Sequence, residues 1–97
     1  MAKGYWISFY RSISNPEALA EYAKLAGPAI QAGGGRFLSR GTAVRAIEAG
    51  LLQRSVVIEF ESVESANSTY DSPAYQAALK ALGGGAERDV RILEGVI

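Results

Sequence analysis

Two short runs constrain this chain's fold more than anything else in it. After Gly4 the sequence reads Tyr5-Trp6-Ile7-Ser8-Phe9-Tyr10, and after Arg54 it reads Ser55-Val56-Val57-Ile58-Glu59-Phe60. Both are dense in β-branched and aromatic residues, which suit a pleated, packed strand. A strand with one wet face alternates apolar and polar positions. Here only Ser8 interrupts the first run, and only Glu59 interrupts Val56 to Phe60, so both faces of the sheet are expected to be covered.

The segments between the strands supply one cover. Asn15 suits a helix N-cap, Pro16 the first helical position and Glu17 the positive end of the helix dipole. Leu19, Tyr22, Ala23, Ala26 and Ile30 then recur at helical spacing on one face. Gly27-Pro28 predicts a kink or break before a last turn, and Gly33-Gly34-Gly35 ends the helix. Arg36 to Gly41 alternates as a strand, with Arg36, Leu38 and Arg40 on one face and Phe37 and Ser39 on the other. Thr42 to Gly50 reads either as an extension of that strand past a bulge or as a short helix, the strand being preferred. Ser62 caps a second helix toward Tyr70; Ser72-Pro73 restarts it, and Gly83-Gly84-Gly85 closes it. Arg88 to Val96 is the last strand. The order is β-α-β-β-α-β, an α+β, ferredoxin-like arrangement with an antiparallel four-stranded sheet and two helices on one face. The second face has no further element to cover it, so a second copy of the chain is the simplest cover, giving a two-fold homodimer.

With 97 residues the chain is one domain spanning 1–97. Lys plus Arg equals Asp plus Glu at 10 each, so no basic field draws in phosphate backbones and nucleic-acid binding is disfavoured. No apolar run approaches the roughly 20 residues of a membrane span, and no signal-peptide pattern opens the sequence; a cytoplasmic location is the default expectation. The absence of Cys excludes disulfides, thiolate nucleophiles and iron–sulfur ligation, and the absence of His excludes a Ser–His–Asp triad and an imidazole base. A transition-metal site would need carboxylates alone. No cofactor and no metal are therefore expected.

Several of these residues together resemble a known family. Tyr5-Trp6-Ile7, Asn15-Pro16-Glu17, the stretch from Gly34 to Gly41 (GGRFLSRG), Val56 to Phe60 (VVIEF), Tyr70 to Ala78 (YDSPAYQAA), and Arg88-Asp89 leading to Glu94-Gly95 are similar to the domain of unknown function 1330 family of small dimeric α+β barrel proteins. The chain departs after Arg40, where Gly41-Thr42 replaces a Gly-Gly pair. The resemblance covers almost the whole chain and implies a homodimer with facing sheets and a cavity between each sheet and its helices. The wider superfamily implies cofactor-free monooxygenases, isomerases and ligand-sensing domains; its haem-ligating members use a His that this chain lacks.

Glu59 is the sharpest candidate for chemistry. Mid-strand, it is expected on the face opposite Ile58 and Phe60, where burial would raise its pKa and suit a proton-abstracting base. The plainer alternative is a carboxylate paired with Arg40, Arg54 or Arg91. Arg40 and Arg88 are candidates for holding a carboxylate or enolate through parallel hydrogen bonds, or else are ordinary ion pairs. Tyr70, Asp71 and Tyr75 flank the helix break and are candidates for a pocket rim, Asp71 being the second candidate base. The plainer reading makes Ser72 an N-cap with Asp71 favouring the dipole and the tyrosines packing. Trp6 stacks on an aromatic ligand or packs in the core. The expected function is a homodimer binding a small anionic or aromatic ligand, either as a cofactor-free monooxygenase- or isomerase-like enzyme acting on a small acidic compound or as a non-catalytic binding module; a purely structural dimer is the third reading.

Overall fold

The computed structural model describes residues 2–96. Its elements are β1 (Gly4–Ile13), α1 (Pro16–Ala32), β2 (Arg36–Thr42), β3 (Arg54–Phe60), α2 (Val63–Asp71), α3 (Pro73–Leu82) and β4 (Ala86–Glu94). The sheet runs β2-β3-β1-β4 with every neighbouring pair antiparallel. This is the ferredoxin-like order expected from the sequence, with the second helical segment divided in two.

Burial separates the faces of the sheet. Trp6, Ser8 and Tyr10 of β1 and Val56, Ile58 and Phe60 of β3 are buried, and they pack with Tyr22, Ala26 and Ile30 of α1 and Tyr75, Ala78 and Leu82 of α3. The helices therefore cover one face. On the other, Phe9 and Leu93 stand nearly half exposed, although their β-propensity matches that of the buried residues. The apolar runs that imply two covers thus have one within the chain.

The caps follow the sequence. Asn15 Oδ1 accepts from the Ala18 N–H at 3.1 Å, with Pro16 opening α1. The end of α1 is a Schellman motif: Gly35 N–H donates to the Ile30 carbonyl at 2.9 Å and Gly34 N–H to that of Gln31 at 3.0 Å. Gly34 holds φ at 90°, where a side chain is strained. Ser72 serves two helices: its hydroxyl donates to the Thr69 carbonyl at 2.7 Å, and its oxygen accepts from the Tyr75 N–H at 3.2 Å.

Three expectations are corrected. α1 is not broken at Gly27-Pro28 but runs through to Ala32. Tertiary packing of Ala26, Ala29 and Ile30 holds the last turn, although Pro28 has no N–H to donate. In β2 a bulge intervenes: Phe37 pairs Ile58, Ser39 pairs Val57 and Arg40 pairs Val56. The extra residue moves Arg40 to the side of Phe37, facing the helices, and leaves Arg36 opposite Glu59 on the open face. Finally, residues 43–53 are neither strand nor helix. Ala43 N–H donates to the Gln53 carbonyl at 3.0 Å, tying the ends of a loop in which Val44, Ile47 and Leu52 are exposed. Their apolar side chains find no surface within the chain to hold them in register.

Candidate functional site

Between the sheet and α1 lies a cleft enclosing about 390 Å3 of empty space, part of it open to solvent, with about 40 Å3 available to the centre of a water molecule. Strand alternation decides what faces it. Trp6, Ser8 and Tyr10 project from β1, and Arg54, Val56 and Ile58 from β3. Arg88 comes from β4, where it pairs with Tyr10, and Arg40 comes from β2 beyond the bulge. Ala26, Gly27 and Ile30 of α1 form the wall. The cleft is therefore apolar toward Trp6 and Ile58 and cationic toward Tyr10, with Arg40 at its β2 rim over Phe37.

The cationic end is organised around tyrosines. Arg88 donates from Nη1 to Tyr22 Oη at 3.0 Å and from Nη2 to Tyr75 Oη at 3.4 Å, and the two hydroxyls lie 2.7 Å apart. The Arg88 guanidinium carbon is also 5.0 Å from the Tyr22 ring centre and 5.6 Å from that of Tyr10, within cation–π range. Burial pushes the Tyr22 hydroxyl above its ordinary pKa, against the opposing pull of Arg88. Burial and then the neighbouring Tyr22 push Tyr75 higher still. For Arg88, burial acts to lower the pKa, but its tyrosine partners outweigh it and the guanidinium is held charged. Arg54 approaches Tyr10 as well, at 5.9 Å, and its Nε is buried without a hydrogen-bond partner. Arg40 lies 4.4 Å over Phe37. Among the described residues, no ion pair within 4.0 Å includes Arg40, Arg54 or Arg88, and none of the side chains lining the cleft is a carboxylate.

The six candidates named from sequence divide between this cleft and other places. Arg40 and Arg88 line it, and Tyr75, fully buried, meets Arg88 through its hydroxyl. Tyr70 sits behind it, its ring 5.4 Å from Trp6 and 5.2 Å from Tyr75. Asp71 is exposed at the end of α2, in a separate groove with Tyr70, Val90 and Ile92. Glu59 lies on the open face: Arg36 Nη2 donates to its Oε1 at 2.8 Å and Tyr5 Oη to its Oε2 at 3.0 Å. The carboxylate acceptor raises the Tyr5 pKa. Glu59 is thus paired, by Arg36, which lies directly opposite it in the β2–β3 register, rather than by Arg40, Arg54 or Arg91. Among the described residues, no three carboxylates converge as a metal site.

Tyr22 and Arg54 escaped the reading of the sequence as cleft residues. Both carried a signal. Counting back by twos from Phe60 through Ile58 and Val56 puts Arg54 on the core face, and Tyr22 is the one hydroxyl on the apolar face of α1.

The same fold recurs in solved structures. A protein of unknown function from Rhodopseudomonas palustris superposes with a TM-score of 0.77 at 16% identity, covering 99% of this chain and 84% of its own. A dimeric ferredoxin-like protein of unknown function from Thermobifida fusca gives 0.67 at 16% identity, covering 96% and 91%. A cofactor-independent oxygenase from Streptomyces nogalater gives 0.66 at 10% identity, covering 96% and 92%. No curated protein matches the chain. The model of one family, however, matches residues 3–96, nearly the whole sequence and every element described above, and by it this chain belongs to the family described as Domain of unknown function (DUF1330).

Proposed function

We propose that this chain forms a homodimer that binds a small organic anion in the cleft between its sheet and α1. One observation carries the reading: Arg40, Arg54 and Arg88 converge on one cleft with no carboxylate beside them. Arg54 and Arg88 are half-buried, while Arg40 stands exposed at the rim; a charge partly withdrawn from water is costly unless it is paired, and an anionic ligand supplies the missing partner. The apolar end, with Trp6 and Ile58, suits a planar or aromatic body attached to the acid group. A purely structural dimer accounts for the Arg36–Glu59 pair but gives no reason for a cationic cleft.

The reading is tested by thermal melting with benzoate and with benzamide, its uncharged counterpart. Benzoate is expected to raise the melting temperature in a concentration-dependent way, by about 2.7 kcal/mol of stabilisation at a hundred times its dissociation constant. Benzamide is expected to do little, and Arg54→Gln to weaken the benzoate effect. Equal stabilisation by both compounds would remove the arginines from the reading.

A catalytic version is favoured by the likeness to a cofactor-independent oxygenase. It is separated from binding alone by recovering the stabilising compound after long incubation in air: unaltered compound supports a binding module, and an oxidised or isomerised product supports an enzyme. In that version Glu59→Gln leaves turnover unchanged, since Glu59 faces away from the cleft. Loss of turnover with ligand binding intact would return Glu59 to the mechanism.

A further inference from the structure

The polar side chains at the cationic end of the cleft all carry hydrogen-bond donors, and none is a carboxylate or an imidazole. Tyr10 comes from β1, Arg54 from β3, Arg88 from β4 and Tyr22 from α1, with the Tyr75 hydroxyl of α3 bonded behind them and Arg40 of β2 exposed at the rim over Phe37. Ser8 adds another donor: its oxygen already accepts from Trp6 Nε1 at 3.1 Å, leaving its own hydrogen to point elsewhere. The chain contains no His, and no Asp or Glu lines the cleft. A bound hydroxyl compound therefore meets donors and positive charge but no base.

We propose that the cleft takes a weakly acidic hydroxyl on an unsaturated carbon, a phenol or an enol, and holds it as the oxyanion, the proton leaving to bulk water rather than to a side chain. The inference rests on the reading of the cleft as an anion site and goes one step further, to the ligand's acid group and how it is ionised. The O–H bond breaks with its electron pair left on oxygen, so no oxidant or second reactant is needed. The proton exits through the side of the cleft that is open to solvent. Arg54 lines the cleft, forms no ion pair within 4.0 Å among the described residues, and supplies positive charge for the oxyanion. The unsaturated body of the ligand lies toward Trp6 and Ile58. The lone positive charge of a guanidinium about 4–6 Å away shifts such an equilibrium by one to three pKa units.

Gly27 supplies the control. It lines the cleft, and a Cβ built on it meets no atom within 4 Å, so a larger side chain there enters open space. The experiment uses the whole chain with two probes, benzoate, which is already ionised at neutral pH, and 4-nitrophenol, whose visible absorption reports ionisation. Binding is read by calorimetry. With saturating protein, the 4-nitrophenol titration is expected to move at least one unit toward acid, which is about ten times more oxyanion at a fixed pH below the midpoint. Arg54→Gln is expected to reverse part of the shift, and Gly27→Leu to abolish it by filling the cleft. If both probes bind and the 4-nitrophenol midpoint is unmoved or moves toward alkali, the ionisation inference falls while the anion site stands. If neither probe binds, both fall. A shift that survives Gly27→Leu puts the ionising site outside the cleft and also overturns the inference.

Discussion

Tyr22, Tyr75 and Arg88 illustrate how a polar group becomes affordable inside so small a core. Tyr75 is fully buried, yet its hydroxyl has both Tyr22 and Arg88 within reach. Removing either hydroxyl leaves the others under-satisfied, so Tyr75→Phe is expected to cost about 1–3 kcal/mol in urea unfolding. The pH dependence has a definite sign. Both tyrosines titrate above their ordinary value of 10.0 in the folded chain. The folded state therefore keeps protons that the unfolded state has already released. The stability this provides is fully present below pH 10 and is lost as the pH rises above it, by up to about 1.4 kcal/mol per pH unit for each tyrosine. Urea unfolding at a series of alkaline pH values is expected to show this fall, with a shallower slope in Tyr75→Phe. Equal slopes in the two proteins would mean that Tyr75 ionises as readily when folded as when unfolded.

Elements form where local signals agree with the packing and depart where packing wins. Ser72-Pro73 is the clearest agreement. Capping α3 while closing α2, Ser72 uses its hydroxyl as both donor and acceptor, and Ser72→Ala is expected to cost about 1–2 kcal/mol by chemical denaturation. Pro73→Ala removes no donor and is expected to cost less. At Gly27-Pro28 the local signal argues for a break and the helix continues, because Ala26, Ala29 and Ile30 are buried on the same face on either side. Gly27 then stands as a weak helix former inside a helix. Gly27→Ala is expected to raise stability by up to about 1 kcal/mol, since the added methyl meets nothing within 4 Å. The bulge in β2 is the instructive failure of pattern reading. Strict alternation put Arg40 with Arg36; one extra residue put it with Phe37 in the cleft. Capping motifs, strand runs and the β-α-β-β-α-β order are local and periodic, so they were legible in the sequence. A single inserted residue is invisible to periodicity, and the meeting of Arg40, Arg54 and Arg88 depends on three strands whose pairing no local pattern states. Two of the six candidate site residues, Arg40 and Arg88, line the cleft because their residue type was informative. Glu59 was placed on the right face of β3, but its partner Arg36 depended on the β2–β3 register, which no local pattern states.

At the scale of the whole molecule, the open face of the sheet sets the remaining question. It carries Tyr5, Ile7 and Phe9 from β1, Val57 from β3 and Leu93 from β4. Phe9 is 46% and Leu93 47% exposed. Ion pairs lie among them, Arg36 with Glu59 and Arg91 with Asp89, so the face mixes an apolar centre with charged positions, as partner-facing surfaces do. A second copy related by a two-fold axis would bury this face against itself, as the proposed homodimer requires. Phe9→Glu tests this with little risk to the monomer. Phe9 contributes nothing to the buried core, so a carboxylate there opens no cavity; its neighbour across the strands, Asp89, is already paired with Arg91 at 2.9 Å, and a second copy on this face would have to take the new charge out of water. Light scattering at micromolar concentration is expected to give about twice the 10.3 kDa chain mass for the wild type and close to one chain mass for Phe9→Glu, with unchanged far-ultraviolet dichroism. The cleft lies on the opposite side of the sheet, so the variant monomer is also expected to keep its affinity for benzoate. A parallel loss of both would mean that the second copy completes the cleft rather than merely covering the sheet.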